Sequence, residues 1–484
     1  MDVLIPGILV VFVLVPAFGS VRFAARSAPN GRHARMLRAP LRRGSALSAF
    51  NLVVLVCVAW WTHEDQHYDD FAAGTTILLA VTSASVLLLG LGPLISWLLG
   101  VLVQRAVRLP PLMRLAVRDL ADNRARSAAV VTTTMVLTAM AVIVTIVATA
   151  TTAQERVRYF PQGRPGALLV EVSSAEDVAV VHAAVQRELP GVPMVRSLRA
   201  GAWHFIPDVE NLELPDFEAV TPVGVFGEGE LLHYLTGDPA TPYDENTAVV
   251  VTSDDVKADT VTISYGPLEG ADALSSRNVP AIVVRPTDPE VKELFVPAKV
   301  IRDLGYQPQL DKLIIDPSAH RTSRAEQERI DRRLGDTATT YVERGFEPST
   351  GWRPIVAVAV VLALGAALFV GRGGPRTTRV LPRLGGGSPR LFAACRVGIG
   401  TACGTAVGTV TGCVVGLLLA WPFTAPIEWE PIPRVSFETP WLLIAALPLV
   451  LSLLAALIAA LAPVPSKEGP SGRRLFGNRN VTAG

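Results

Sequence analysis

The sequence has few charged and few aromatic side chains. Asp, Glu, Lys and Arg make up 18% of its 484 residues, and Phe, Trp and Tyr make up 6%. Soluble domains usually carry about 25% charged residues. Because the net charge is only +1, no overall electric field favours nucleic acid as a partner. The chain is instead 50% hydrophobic, and its mean hydropathy of +0.38 indicates a membrane protein.

Sequence motifs for catalysis and cofactor binding are also absent. There is no G-x-x-x-x-G-K-[ST] loop for nucleotide phosphates and no G-x-S-x-G nucleophile motif. We therefore expect no enzyme activity, no cofactor and no metal. One alternative is the segment 63–70, whose acids and histidines could hold a divalent cation, although short loops of this composition are common.

Cysteine is scarce, and its positions exclude a disulfide framework. Cys57, Cys395, Cys403 and Cys413 all lie in apolar blocks and lack the C-x2-C spacing of zinc sites. We interpret them as small packing residues. Because no cysteine occurs between 152 and 350, a folded domain there must depend on a hydrophobic core.

Apolar blocks of suitable length predict about seven transmembrane helices, each needing about 17–25 residues. They lie near 3–19, 45–62, 75–103, 127–150, 353–371, 391–420 and 441–463. The third and sixth blocks are longer than a bilayer requires, so we expect them to tilt or to extend past it.

The loops between the blocks alternate in charge. Those after the first, third and fifth blocks, and the C-terminal tail, are rich in Arg, whereas those after the second and sixth are acidic. Since Lys and Arg collect on the cytoplasmic side, the N-terminus is expected outside and the C-terminus in the cytoplasm. The first block begins with Asp2 and is followed by its arginines, which predicts a retained span rather than a cleaved signal peptide.

Residues 152–350 lack long apolar runs and are predicted to form one extracytoplasmic α+β domain. Helices are predicted over 175–189 and 324–334, because Ser and Thr residues that can cap a helix precede both segments. Short strands are predicted at 167–172, 194–195, 248–252, 261–265, 281–284 and 313–315. The order β-α-β, further strands, β-α-β is typical of a compact α+β module.

Residues 112–121 form an amphipathic segment after Pro110-Pro111. Apolar residues recur at i, i+3, i+4, i+7 and i+8 from Met113, and charged residues take the other faces: Arg114, Arg118, Asp119 and Asp122. Such a helix is expected to lie along the membrane interface with its arginines at the headgroups. An ordinary juxtamembrane linker is the alternative.

The sixth block carries a glycine at every fourth position. These residues are Gly400, Gly404, Gly408, Gly412 and Gly416. They repeat the GxxxG motif, which lets a second helix approach to backbone distance. The alternative is that glycine is simply common in membrane helices. The sequence leaves open whether the second helix belongs to this chain or to another subunit.

Two segments carry a family resemblance. Residues 113–127, MRLAVRDLADNRARS, resemble the elbow helix of FtsX-like (MacB-type) ABC transporter permeases. Residues 379–391, RVLPRLGGGSPRL, resemble the cytoplasmic loop of that family, LRxLGASPRxL. The order of elbow helix, span, external domain and three further spans agrees as well. The resemblance covers roughly residues 90–463 and is closest to the C-terminal half of long actinobacterial members.

The resemblance implies a permease subunit of an ABC transporter in a bacterial plasma membrane. A separate cytoplasmic ATPase would move the loop 372–390, and the fourth and fifth spans would carry that motion to the external domain to extrude a lipid, peptide or lipoprotein. The implied contacts to the ATPase are Arg114, Arg118, Arg379, Arg383, Ser388 and Arg390. The implied partners are this ATPase, a second permease copy or a homologous permease, and membrane lipids.

The chain departs from the family pattern in two respects. The first permease unit is absent, so the chain needs a partner permease or its true start lies upstream. The segment 371–375, Gly-Arg-Gly-Gly-Pro, is short and lacks the usual acidic residue. A membrane sensor or scaffold that signals through its external domain without transport is therefore the alternative function. A membrane-embedded enzyme would need a catalytic set that the sequence lacks.

The predicted architecture is a membrane all-α bundle with one inserted extracytoplasmic α+β domain. Residues 1–104 hold three spans, 105–151 the elbow helix and fourth span, 152–350 the external domain, 351–464 three further spans, and 465–484 a cytoplasmic tail.

Overall fold

Internal contacts divide the chain into two units in the computed structural model. The helical unit comprises Met1–Glu155 and Ser349–Gly484, and the mixed unit comprises Arg156–Pro348. The structure describes residues 38–62, 70–108, 110–159, 161–199, 203–208, 224–267, 275–289, 291–370, 388–426 and 434–462. The mixed unit begins and ends within a few residues of the predicted external domain, 152–350.

Helices and strands are numbered here along the described chain. The helices are α1 (Arg38–Trp61), α2 (Asp70–Gly90), α3 (Gly92–Arg105), α4 (Pro111–Asp122), α5 (Arg124–Arg158), α6 (Val178–Glu188), α7 (Gly229–Thr236), α8 (Ala298–Asp303), α9 (Arg324–Leu334), α10 (Trp352–Val370), α11 (Pro389–Phe423) and α12 (Trp441–Leu461). The strands are β1 (Leu168–Val172), β2 (Val195–Arg199), β3 (Trp203–Asp208), β4 (Gly224–Gly227), β5 (Ala248–Val251), β6 (Thr260–Pro267), β7 (Ser275–Val284), β8 (Glu293–Pro297), β9 (Gln309–Ile315) and β10 (Ala338–Val342).

Six helical segments in the described chain are long and apolar enough to cross a membrane. They are Leu41–Trp61, Phe71–Arg105, Ser127–Arg158, Trp352–Phe369, Pro389–Phe423 and Trp441–Leu461. Their length and composition indicate a protein that associates with a membrane. The first predicted span, 3–19, lies outside the described residues.

Helix α5 lies at the centre of the helical unit. In the most apolar stretch of α5, 89% of the residues are buried, against 17% in α10 and 22% in α12. It extends from Arg124 to Arg158, beyond the predicted span at 127–150. The apolar run ends near Ala150, but the residues that follow contain no Gly or Pro, so nothing in them breaks the helix.

The third predicted span is two helices with a break at Leu91. Glycines flank this residue, and Pro93 lacks the N–H that a continuous helix would use. Before the break, α2 packs antiparallel to α1, with Ser48 Oγ donating to the Leu87 carbonyl at 3.0 Å. A Cβ at Gly44 would lie 2.7 Å from the carbonyl oxygen of Gly90, so glycine permits this close approach.

The mixed unit is built on one ten-stranded sheet with the order β10-β1-β9-β2-β4-β8-β5-β7-β6-β3. Its first four strands pair antiparallel and belong to the units β1-α6-β2 and β9-α9-β10. This is the split β-α-β arrangement of ferredoxin-like folds. Helices α6 and α9 cover one face of it, where Val181 and Ile330 join the apolar side chains of β1 and β9.

The remaining strands are inserted between β2 and β9. Strand pairs β4–β8 and β5–β7 are parallel, and β6 pairs antiparallel with both β3 and β7. The predicted helix 324–334 is confirmed with the same bounds, and Ser323 and Glu326 form a capping box at its start. Strands β3, β4 and β8 and helices α7 and α8 were not predicted, and β10 was predicted only as the last strand of the second β-α-β unit, without bounds.

Candidate functional site

The predicted elbow segment is a helix, α4, at the end of the helical unit where α5 and α11 begin. We call this end the α4 end. Pro111 occupies the first turn of α4, where its missing N–H costs nothing. A single residue, Asn123, separates α4 from α5. The two helices are therefore joined with almost no connecting loop.

One face of α4 packs against the start of α11. Ala116 is fully buried and shares an apolar cluster with Phe392, and Leu115 and Cys395 pack against that cluster. Met113 was predicted on the apolar face, but it lies in the first turn and is 40% exposed. The buried face begins one turn later, at Ala116.

Side chains predicted to contact an ATPase lie at the same end. Arg118 of α4 is exposed and Arg114 is half-buried. Ser388 precedes α11 and Arg390 lies in its first turn, and both are exposed. The packing of α4 on α11 thus brings together residues that are far apart in the sequence. Arg379 and Arg383 lie outside the described residues.

A buried ion pair joins α4 to α11 beside this cluster. Arg396 Nη1 lies 2.9 Å from Asp119 Oδ2, and the two side chains are 3% and 8% exposed. Asn123 Nδ2 also donates to Asp119 Oδ1 at 3.3 Å. The prediction that Asp119 lies on a polar face of α4 was wrong, because it follows Ala116 by three residues and shares its buried face.

Sequence reasoning did not single out Arg396. It is a lone charge within the predicted span 391–420, and a charged side chain in such a helix usually faces the bundle interior and has a partner. That signal was available, but the sequence does not identify the partner as Asp119.

The glycine stripe packs on α5 of the same chain. A Cβ at Gly404 would meet Thr134 Oγ1, and one at Gly408 would meet the Met135 carbonyl oxygen. Gly400, at the start of the stripe, is buried as well.

The last two glycines also lie close to α5. A Cβ at Gly412 would lie 2.8 Å from the Ala139 carbonyl oxygen, and one at Gly416 would lie 3.1 Å from Ile146 Cδ1. Larger side chains would therefore separate the two helices. The partner numbers rise together along both helices, so α5 and α11 run parallel.

Arg434 hydrogen-bonds to two helix ends at the side of the helical unit opposite the α4 end. Its Nη2 donates to the carbonyls of Thr62 at 2.7 Å and Trp421 at 3.0 Å, and its guanidinium lies 4.6 Å from the centre of the Trp421 ring. These carbonyls lie at the C-terminal ends of α1 and α11, where a positive charge is stabilising. The backbone N–H of Val435 donates to Gln154 Oε1 of α5 at 3.0 Å. The segment around Arg434 thus connects the ends of three helices.

No protein-family model matches the chain. A search of curated proteins also returned no match.

Within the mixed unit, a buried carboxylate joins the incoming and outgoing chain. Glu343 is 1% exposed and accepts hydrogen bonds from the Tyr159 hydroxyl, the Gln162 amide at 2.9 Å and the Gly345 amide at 2.8 Å. Burial and the nearby Glu343 carboxylate raise the pKa of Tyr159 far above its usual range. The hydroxyl therefore remains a donor to Glu343 at all physiological pH values.

A second acid in this unit is perturbed by burial. Desolvation raises the pKa of Glu293 on β8 from 4.5 to about 7, and the positive charge of Lys312 opposes this only in part. Among the described residues, no group of three His, Cys, Asp or Glu side chains could hold a metal ion. Most of the predicted alternative cation segment, 63–70, lies outside them.

Proposed function

We propose that this chain is a permease subunit of an ABC transporter in a bacterial plasma membrane. The observation that carries the proposal is the position of α4, which packs on the start of α11 beside Ser388 and Arg390. A cytoplasmic ATPase that binds this end would contact the elbow helix and the end of the 372–390 loop together. The ATPase would hydrolyse ATP, and this chain would transmit the resulting motion.

The proposed orientation places the α4 end in the cytoplasm. Arg42 and Arg43 of α1, Arg105 and Arg108 near α3, and Arg118 of α4 are exposed. Such a concentration of arginine is typical of the cytoplasmic side. With this orientation, α1, α5 and α11 run outward, and the C-terminus is cytoplasmic.

Helix α5 supports a mechanical role. Its 35 residues correspond to about 52 Å at 1.5 Å per residue, whereas the apolar core of a bilayer is about 30 Å thick. The helix leads directly to Tyr159, which is hydrogen-bonded to Glu343. Because α5 continues to Arg158, past the start of the mixed unit at Arg156, the proposed motion would be passed on along the chain itself. The substrate would be a lipid, peptide or lipoprotein extruded from outside the membrane, and a second permease copy would complete the transporter.

The test is co-purification with an ABC ATPase encoded by a gene next to that of this chain, followed by measurement of ATP hydrolysis in lipid nanodiscs; a gene neighbourhood without such an ATPase would count against the proposal. Arg118→Glu and Arg390→Glu should each weaken association or stimulation by about tenfold, because they place like charges where arginines meet an acidic partner. Arg353→Glu is the matched control. Arg353 is exposed in the first turn of α10, whereas the last turn of α10, at Ala367, packs beside Val397 near the start of α11. Arg353 therefore lies at the other end of α10 from the α4 end.

Loss of function in the control as well would contradict a specific contact at the α4 end. If the ATPase neither associates nor responds, the permease proposal fails. The sensor or scaffold alternative would then be favoured by a binding response of the external domain that needs no ATPase.

A further inference from the structure

Three contacts close a ring of helices at the α4 end. Helix α4 continues into α5 through the single residue Asn123, where the Asn123 amide donates to the Asp119 carbonyl at 3.1 Å and the Ser127 amide donates to the Asn123 carbonyl at 3.0 Å. Helices α5 and α11 meet at backbone distance along the glycine stripe. The Asp119–Arg396 ion pair then returns from α11 to α4.

Of the three contacts in this ring, the ion pair is the one expected to contribute least to the stability of the fold. Asp119 lies in the last turn of α4, where a carboxylate is disfavoured by the helix dipole. Arg396 is the lone charged residue of α11 within the predicted span 391–420. Replacing a buried ion pair by apolar side chains of similar volume is often neutral or stabilising. A pair in this position is better explained by the geometry it fixes.

The apolar contact beside the pair consists of Ala116 and Phe392 with the partly buried Leu115, Cys395 and Ile399. The hydrophobic effect is not directional, so this contact does not by itself define the position of α4 along α11. The ion pair has defined partner atoms and a 2.9 Å separation, so it sets the position of α4 along α11.

We propose that Asp119 and Arg396 form a positioning pair that locks α4 to α11, so that α4, α5 and α11 move as one rigid frame. This inference rests on the proposed permease function. It changes the route of motion expected from the family resemblance, which used the fourth and fifth spans. Force on Ser388 and Arg390 would instead pass through α11, the sixth predicted span, to α5, the fourth. Helix α10, the fifth span, has little buried surface.

The experiment compares Asp119→Asn with Asp122→Asn, its exposed neighbour on α4, in the full chain in nanodiscs. The first measurement is hydrogen exchange of the α4 amides, which needs no ATPase. Asp119→Asn should raise exchange in residues 112–122 by about tenfold because α4 can open locally, and Asp122→Asn should leave it unchanged. Unchanged exchange in Asp119→Asn would overturn the frame.

The second measurement is stimulation of the associated ATPase. Asp119→Asn should lower it about fivefold while association persists, since coupling rather than binding is lost. If α4 exchange rises but stimulation is unchanged, the positioning role is refuted and the permease proposal stands. If the wild-type chain neither binds nor stimulates the ATPase, the permease proposal and its positioning role fail together, and the exchange data still decide whether the frame exists.

A double variant guards against simple misfolding. Asp119→Leu combined with Arg396→Met keeps the volume apolar, so the chain should fold with at least wild-type thermal stability. We expect this variant to lose stimulation about fivefold although it remains stable, because an apolar contact does not fix the position of α4. Full stimulation in this variant would show that the pair is structural only and would overturn the proposal.

Discussion

Replacing Gly412 of α11 with Ala should weaken the contact between α11 and α5. The new Cβ would lie 2.8 Å from the Ala139 carbonyl oxygen, 2.8 Å from Val142 Cβ and 3.0 Å from Ala139 Cα. Two of these three atoms belong to the backbone of α5, so they cannot move aside by a rotamer change. The helices must separate along several residues instead.

The magnitude follows from two opposing effects. Overpacking a close contact costs about 1–3 kcal/mol. The gain in helix propensity from Gly to Ala is about 1 kcal/mol in water and offsets part of that cost. Gly365→Ala on α10 isolates the second effect, because a Cβ there meets nothing within 4 Å. We therefore expect Gly412→Ala to be about 1–3 kcal/mol less stable than Gly365→Ala.

The assay is reversible unfolding of the purified chain in mixed detergent micelles, with both variants measured under the same conditions. Gly416→Ala should fall between them, because its nearest contact is the flexible end of Ile146 at 3.1 Å. Equal stability of the Gly412 and Gly365 variants would refute the close approach of α5 and α11.

Three further predictions concern other buried polar contacts. Arg434→Gln should cost about 1.5–3 kcal/mol, because it removes charged hydrogen bonds to two helix ends, whereas the exposed Arg353→Gln should change thermal stability little; equal effects would contradict the proposed fastening role. Glu343→Ala should speed hydrogen exchange of the Gln162 and Gly345 amides, because the free energy of local opening falls by about 1–3 kcal/mol. The exposed Glu347→Ala should not change this exchange. Unchanged exchange of both amides in Glu343→Ala would contradict the role of Glu343 in joining the two segments. The pKa of Glu293 is raised from 4.5 to about 7, so its contribution to stability is complete below pH 4.5 and is lost as pH rises through about 7. This component amounts to about 3 kcal/mol, and a Glu293→Gln variant whose pH dependence matches wild type would contradict it.

The long apolar helices could be predicted from the sequence because one local property, a run of about 20 apolar residues, determines them. The helix 324–334 was predicted with its observed bounds because Ser323 and Glu326 mark its start. The break at Leu91 was missed, although Gly90, Gly92 and Pro93 are its visible cause. Local chemistry thus accounts for both the successes and this omission.

Several strands of the mixed unit could not be predicted because their signals are weak. Strand β4 has four residues and a glycine at each end, and β8 ends in Pro297. Glycine and proline are typical of turns, so such segments look like loops until neighbouring strands pair with them. Their place in the sheet depends on contacts with strands distant in sequence.

The candidate site was only partly predictable for the same reason. The helix at α4 was predicted from its amphipathic pattern, but Asp119 was assigned to a polar face because its partner, Arg396, lies far along the chain. A sequence shows that a lone charge in a span needs a partner, and only the folded chain identifies which one. Arg379 and Arg383 stay predictions, since they lie outside the described residues.

The central claim is tested most directly by the ATP hydrolysis rate of the proposed partner, an ABC ATPase encoded by an adjacent gene, in nanodiscs with and without this chain. We predict that the two proteins co-purify and that the chain changes the rate several-fold, with the change lost in Arg118→Glu. Failure to associate, together with the same hydrolysis rate in the presence and absence of the chain, would contradict the permease proposal.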